Sequence, residues 1–299
     1  MKIHVESAPM AGFTNHAFRR VLMECGAKIL YTEMISATAL VYKSKKTYDM
    51  LGLDKAEGII NVVQLFGKVP EHFEQAIKSG YLDNFDEINI NMGCPAPKIT
   101  RNSEGCALMK TPDLARQIIQ ACVRSTDKPV TVKFRLGYEQ PNLTAVEFAK
   151  MCEQAGARRL IVHGRYASQG YSGVADWHAI ARVVQAVNIP VIANGDVVDL
   201  SAAQKCLEIT GANGLMIGRA LFGSPWKINF DMPTMTENEI KNMISKHIEY
   251  QRKLHGEGSF SEIKKHMLFY CDNFKNSKEL KLQMIHAKTF NDAIEILEL

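Results

Sequence analysis

The sequence predicts an α/β fold: a (β/α)8 barrel of the TIM type followed by a small C-terminal all-helical domain. Three observations carry this. Eight short β-branched runs recur through the first three quarters of the 299 residues, each followed by a longer segment with apolar residues at helical spacing. Several runs, such as PVTVKF and PVIANG, are almost wholly apolar, as suits parallel strands covered on both faces. After about Pro233 no strand-like run remains.

In order, the runs are 3–7, 30–33, 60–66, 87–91, 130–134, 160–163, 191–194 and 215–217. Between them, Asn15 suits the start of one helix and Thr111-Pro112 the first turn of another, while Gly156 and Gly211 suit helix ends. Single barrels run to about 250 residues, which leaves an appendage of about 50. The expected division is 1–237 for the barrel and 238–299 for three amphipathic helices, with turns near 255–258 and 276–277. An open doubly wound sheet is the structural alternative, but its Gly-x-Gly-x-x-Gly loop is missing.

Composition narrows the class. With 46% apolar and 23% charged residues the chain is neither disordered nor fibrous, and 36 Lys+Arg against 32 Asp+Glu leave a net charge of only +4. Seven cysteines with no Cys-x-x-Cys pair argue against a disulfide scaffold or a zinc ribbon, and no metal site is expected. The leading residues lack the apolar stretch of a secretion signal, and no run approaches about 18 apolar residues, so a cytoplasmic protein without a membrane span is expected.

Barrel active sites form at the carboxyl ends of the strands, where this chain is rich in polar residues: Gln64, Asn89, Asn91, Lys133, Arg135, His163, Arg165, Asn194 and Asp196. Cys94 stands just beyond a strand, between Gly93 and Pro95, whereas Cys25, Cys122, Cys152 and Cys206 lie in helical patterns and read as small buried hydrophobes. Lys133 interrupts VTVKFR; a buried ammonium needs an anion or polar ligand, unless the chain snorkels to the rim. The turns at 194–197 and 217–226 follow the last two strands, where barrel enzymes commonly hold phosphate, and Arg219 would add charge.

The stretches APMAGFTN, TEMISA, VVQLFG, INMGCPAPKI, VKFRLGY, VHGRYASQGYSGVADW, NGDV and GLMIGRALFGSPW occur in this order. In them, and in EIKKHMLFY of the tail, the chain resembles the flavin-dependent dihydrouridine synthases that act on tRNA. The resemblance implies an FMN-binding barrel, an RNA-binding helical domain, NADPH or NADH as reductant, tRNA as partner and no obligate protein partner. It sets Pro9, Met10 and Ala11 against the flavin ring, and Gln64 and Lys133 at its polar edge. Asn194, Gly195, Asp196, Gly218 and Arg219 fall at its phosphate, His163 lies near flavin and substrate, and Cys94 is the proton donor. Substrate or RNA contacts fall to Asn91, Arg135, Arg165, Lys264, Lys265 and His266. The window 263–288 carries six Lys/Arg and two Asp/Glu, a local excess equal to that of the whole chain.

Asn15, Arg101, Ser103, Glu104 and Ala220 depart from the family pattern. Two other readings stand beside the main one: a small-molecule flavin oxidoreductase of the dihydroorotate dehydrogenase type, and an RNA-binding protein on an inactive barrel. The choice of uridine, ribosomal RNA as a further target, the preferred nicotinamide and the oligomeric state are not encoded in any motif.

Overall fold

A computed structural model describes residues 3–299. Eight parallel strands, β1 (Val5–Ser7), β2 (Ile29–Ser36), β3 (Ile60–Phe66), β4 (Glu87–Met92), β5 (Val130–Arg135), β6 (Arg159–His163), β7 (Val191–Asn194) and β8 (Gly214–Ile217), alternate with helices. The hydrogen-bonded order is β1-β8-β7-β6-β5-β4-β3-β2. The barrel is nearly closed. Between β1 and β2 the backbone ladder gives way to side chains: Ser7 Oγ donates to the Ile29 carbonyl at 3.3 Å, and Tyr31 Oη to Glu6 Oε2 at 2.6 Å.

Alternation along each strand sorts the core. One face packs against the helices in a large apolar shell that includes Val63, Ile88, Val132 and Val162. The other fills the barrel with Ile29, Val62, Ile161, Ile192 and Met216, together with polar residues of β3 to β6 that are buried just as fully. Local capping signals are used as the sequence suggests. Asn15 accepts from the Phe18 N–H at the start of helix His16–Glu24, Pro112 opens helix Pro112–Arg124, and Gly211 closes helix Leu200–Thr210 in the left-handed conformation.

The tail has four helices rather than the three the periodicity predicts: Glu237–His255, Phe260–Tyr270, Ser277–His286 and Phe290–Leu297. The last predicted segment is cut at Ala287 to Thr289. There Thr289 and Asp292 form a reciprocal capping box that starts a new helix inside a continuous amphipathic pattern. These helices share an apolar cluster of their own, centred on Ile244, Ile263, Met267, Tyr270 and Phe290. They are tied to the barrel through Asn15 Nδ2, which donates to Gln251 Oε1 at 2.9 Å, and through Lys246 and Glu24 at 2.6 Å. Gln251 spends its own amide N–H on Glu262, so an aspartate at position 15 could cap the helix but could not make this bond. No helix among the described residues is long and apolar enough to cross a membrane.

Candidate active site

At the carboxyl ends of the strands opens a cavity of about 960 Å³. Its wall contains Pro9, Met10 and Ala11 after β1, Asn91, Gly93 and Cys94 after β4, Lys133 and Arg135 from β5, and His163 from β6. Asn194, Gly195 and Asp196 after β7, and Gly218 and Arg219 after β8, complete it. Most residues picked out at scattered strand ends thus converge on one space, because parallel strands that alternate with helices all end on the same side.

Cys94 is the only one of the seven cysteines that is not buried. Its turn is held from three sides. Asn91 Oδ1 accepts the N–H groups of Gly93 and Cys94 at 3.2 and 2.9 Å, Arg135 Nε donates to the Gly93 carbonyl at 2.8 Å, and the Cys106 N–H donates to the Cys94 carbonyl at 3.1 Å. Gly105, with φ of +62°, passes so close that a Cβ there would lie 2.7 Å from the Cys94 carbonyl oxygen. Burial raises the Cys94 thiol above its ordinary range, against the opposing pull of an Ala96 backbone hydrogen bond and the Arg135 and Lys133 cations. Cys106 behind it is fully buried and pushed up to about 11 by the same cause.

Lys133 meets one polar partner among the described residues, Asn194 Oδ1 at 2.7 Å. Burial, and secondarily the Arg135 charge, lower its ammonium to about 7. His163 is pushed well below its ordinary value by burial first and then by the field of Lys133, Arg135, Arg165 and Arg219. It is therefore neutral at pH 7, and its Nε2, 3.4 Å from a guanidinium that can only donate, is the unprotonated nitrogen.

The motifs HGR, GYSG, ADW and NGD interlock. Arg165 is 2% exposed; its Nη2 contacts both Asp196 carboxylate oxygens at 2.8 Å and donates to the Gly173 carbonyl at 2.7 Å, while Nε donates to the Ser172 carbonyl at 3.0 Å. Asp196 also accepts from the Ala175 N–H, and Trp177 Nε1 donates to the Gly195 carbonyl. Gly195 takes φ of +120°, and a Cβ there would lie 2.8 Å from that of Ala175, so no other residue fits this turn.

The other expected site residues divide between the wall, the layer beneath it and the tail. Gln64 is fully buried beneath Asn91 and not part of the wall. Arg135 is 2% exposed and, besides Gly93, donates to the carbonyls of Tyr166 and Gly170. In the tail, Lys264 Nζ donates to the carbonyls of Ile285 and Ala287, which staples the end of helix Ser277–His286. His266 is 1% exposed, with Nε2 at 3.1 Å from the Phe13 carbonyl, so it is packed between barrel and tail and offers no surface to RNA. Lys265 packs its Nζ 4.5 Å from the centre of the ring of Phe13, itself a wall residue.

Spacing did not single out Tyr171, which is 57% exposed on the wall and within 5.1 Å of the Arg219 guanidinium, nor Phe222, stacked on Phe13 at 3.9 Å. Aromatics beside loop glycines were the available signal. Of the departures, Ser103 sits at φ +61°, a conformation that glycine adopts without strain, and burial raises the neighbouring Glu104 carboxyl.

The family model described as dihydrouridine synthase matches residues 6–298. The tRNA-dihydrouridine synthase B of Yersinia pestis is 36% identical over 98% of this chain and 93% of its own length. That of Klebsiella pneumoniae is 34% identical over 98% and 94%. Among solved structures, a 2-naphthoyl-CoA reductase aligns with a TM-score of 0.57 at 10% identity, over 74% of this chain and 48% of that one, a likeness of fold alone.

Proposed function

The chain belongs to the dihydrouridine synthase family, and from that premise we propose that it reduces the C5–C6 double bond of uridines in tRNA with FMN as its flavin and NADPH or NADH as the reductant. The observation that carries this reading is the meeting, in one cavity, of the one accessible thiol with a buried lysine that lacks a counter-ion. The relatives cover the helical tail as well as the barrel, so the small-molecule alternative of the dihydroorotate type is not favoured.

The residues present suit such a cofactor. Lys133, Arg135 and Arg219 face the cavity against a single carboxylate, Asp196, and a buried ammonium paired only with a neutral amide calls for an anion. Pro9, Met10 and Ala11 would lie against the ring, Lys133 and the more deeply set Gln64 would address its polar edge, and Asn194, Gly195, Asp196, Gly218 and Arg219 would hold the phosphate. His163, neutral, would stand beside ring and substrate. FMN, when bound and reduced, supplies the hydride for C6.

The protein supplies the proton and the geometry. Cys94 gives its proton to C5; a thiol held above its ordinary range by burial stays protonated at neutrality, whereas a carboxylic acid near 4 would need a large upward shift. Asn91, Arg135 and Arg165 contribute by holding the Cys94 and Asp196 turns on which they spend their hydrogen bonds. A uridine in folded tRNA must be turned out of its stack to reach this cavity. In residues 238–299, the proposed RNA-binding domain, Lys265 beside Phe13 and the exposed Lys253, Lys275, Lys278 and Lys288 supply cations for its backbone. This chemistry belongs in the cytoplasm.

The direct test incubates the reduced protein with unmodified tRNA transcripts and maps dihydrouridine; transcripts left unchanged would refute the reading. Lys133 adds a test that needs no turnover. Its lowered value means that the cofactor-free fold favours the neutral amine, a contribution to stability that is present above the ordinary lysine range and lost as pH falls through about 7. An anion beside it restores the charge, so FMN should bind with proton uptake between pH 7 and 10. Its affinity should fall with rising pH by up to about tenfold per unit. Calorimetric titration in buffers of different ionisation enthalpy reads both, and pH-independent binding would remove Lys133 from the cofactor site.

A further inference from the structure

A single file of hydrogen bonds runs inside the barrel from near its amino-terminal end to the Cys94 turn. Arg159 Nη2 donates to Glu87 Oε1 at 2.8 Å, and the Thr131 hydroxyl donates to the same oxygen at 2.6 Å. Asn89 Nδ2 donates to Thr131 Oγ1 at 2.8 Å, Gln64 Nε2 to Asn89 Oδ1 at 2.7 Å, and Asn91 Nδ2 to Gln64 Oε1 at 2.8 Å. The Cys94 N–H closes the file on Asn91 Oδ1 at 2.9 Å. Glu87, Thr131, Asn89, Gln64 and Asn91 are all buried, Asn91 the least so at 6% exposure.

The direction of this file is fixed from both ends. Burial raises the Glu87 carboxyl while the Arg159 charge and the Thr131 hydroxyl hold it down; ionised beside Arg159 it only accepts, so Thr131 donates to it, and with its one proton spent Thr131 can only accept from Asn89. Each amide is then turned by its neighbour. At the other end the backbone N–H groups of Gly93 and Cys94 require an oxygen on Asn91, which agrees. Reversing any one amide would set donor against donor or acceptor against acceptor inside the buried barrel.

We propose that Glu87 and Thr131, which touch neither the cavity wall nor the thiol, are positioning residues for the reaction. Their charge-anchored polarity holds the Asn91 oxygen toward the Cys94 turn and so holds the proton donor in place. This rests on Cys94 as the acid. No apolar packing could replace it, because an apolar residue at 131 has no polarity to pass on.

The test uses the full chain. Thr131→Val keeps the shape and removes the link. It is expected to lower kcat by about tenfold or more, the scale of a small displacement of a reacting group, with KM for tRNA held within about twofold. Thr131→Ser, which keeps the hydroxyl, should restore most of the rate. Because Cys94 is the only cysteine that is not buried, iodoacetamide labelling without tRNA or flavin reads its environment directly, and its rate should shift in Thr131→Val but not in Thr131→Ser. Asn89→Leu cuts the file one link closer to the cavity and should reproduce the loss should the valine variant fail to fold. Wild-type kcat and labelling in either broken-link variant, or equal loss in the serine variant, would overturn the proposal. Should the wild type itself form no dihydrouridine, the reading of the reaction fails, while the labelling still decides whether this file governs Cys94.

Discussion

Cys94→Ala is expected to bind flavin as the wild type does and to form dihydrouridine about 10²- to 10⁴-fold more slowly, the usual worth of a positioned proton donor. The side chain removed is small and stands at the cavity wall, while the turn that carries it is held through backbone groups by Asn91, Arg135 and Cys106, so the fold and the cofactor pocket should survive. Single-turnover reduction of a tRNA transcript by the pre-reduced variant isolates the chemical step; a rate equal to that of the wild type would remove Cys94 from the role of acid. The wild-type rate should hold through neutrality and fall only above the ordinary thiol range. Burial moves this group upward, and the protonated form is the competent one.

Arg165→Met should strongly destabilise the barrel. It would strip Asp196 of the guanidinium nitrogen that both its oxygens contact and release the loop that Arg165 ties down through the Ser172 and Gly173 carbonyls. Removing one member of such a pair costs roughly 3 to 5 kcal/mol when both are buried, and the partial exposure of Asp196, at 26%, points to the lower end. The cofactor-free variant should melt on the order of 10 °C lower. FMN affinity should fall as well, because the Gly195-Asp196 turn at the proposed phosphate position loses its support. Melting and FMN affinity equal to those of the wild type would show that the Trp177 and Ala175 contacts hold the turn unaided.

Much of the fold was legible because its signals are local. Strand runs matched to within two residues at most ends, and in six of the strands to within one, since alternation and turn chemistry are read over a few neighbouring positions. Where it went astray, in the tail, a strong amphipathic pattern masked the Thr289–Asp292 capping box, a break made by two side chains and not by a glycine or proline. Of the candidate site, the wall residues were recoverable from their strand ends. The charged residues were harder to sort: Arg135 and Lys133 stand two positions apart on β5, yet one donates to three carbonyls and the other meets a single amide.

Sequence alone therefore determined the barrel, its direction, the thiol between Gly93 and Pro95, and the end of the molecule where polar residues gather, because each follows from periodicity or from the conformational limits of one or two residues. Tertiary structure decided which cations remain available. Arg165, His266 and Lys264 are consumed by partners 7 to 253 positions away, as with Ser172 and the Phe13 carbonyl, and no local pattern encodes such distances. It also decided that the polar residues of β3, β4 and β5 join into one directed file. The direction of a hydrogen bond is a property of both partners, and the partners meet only when the barrel closes.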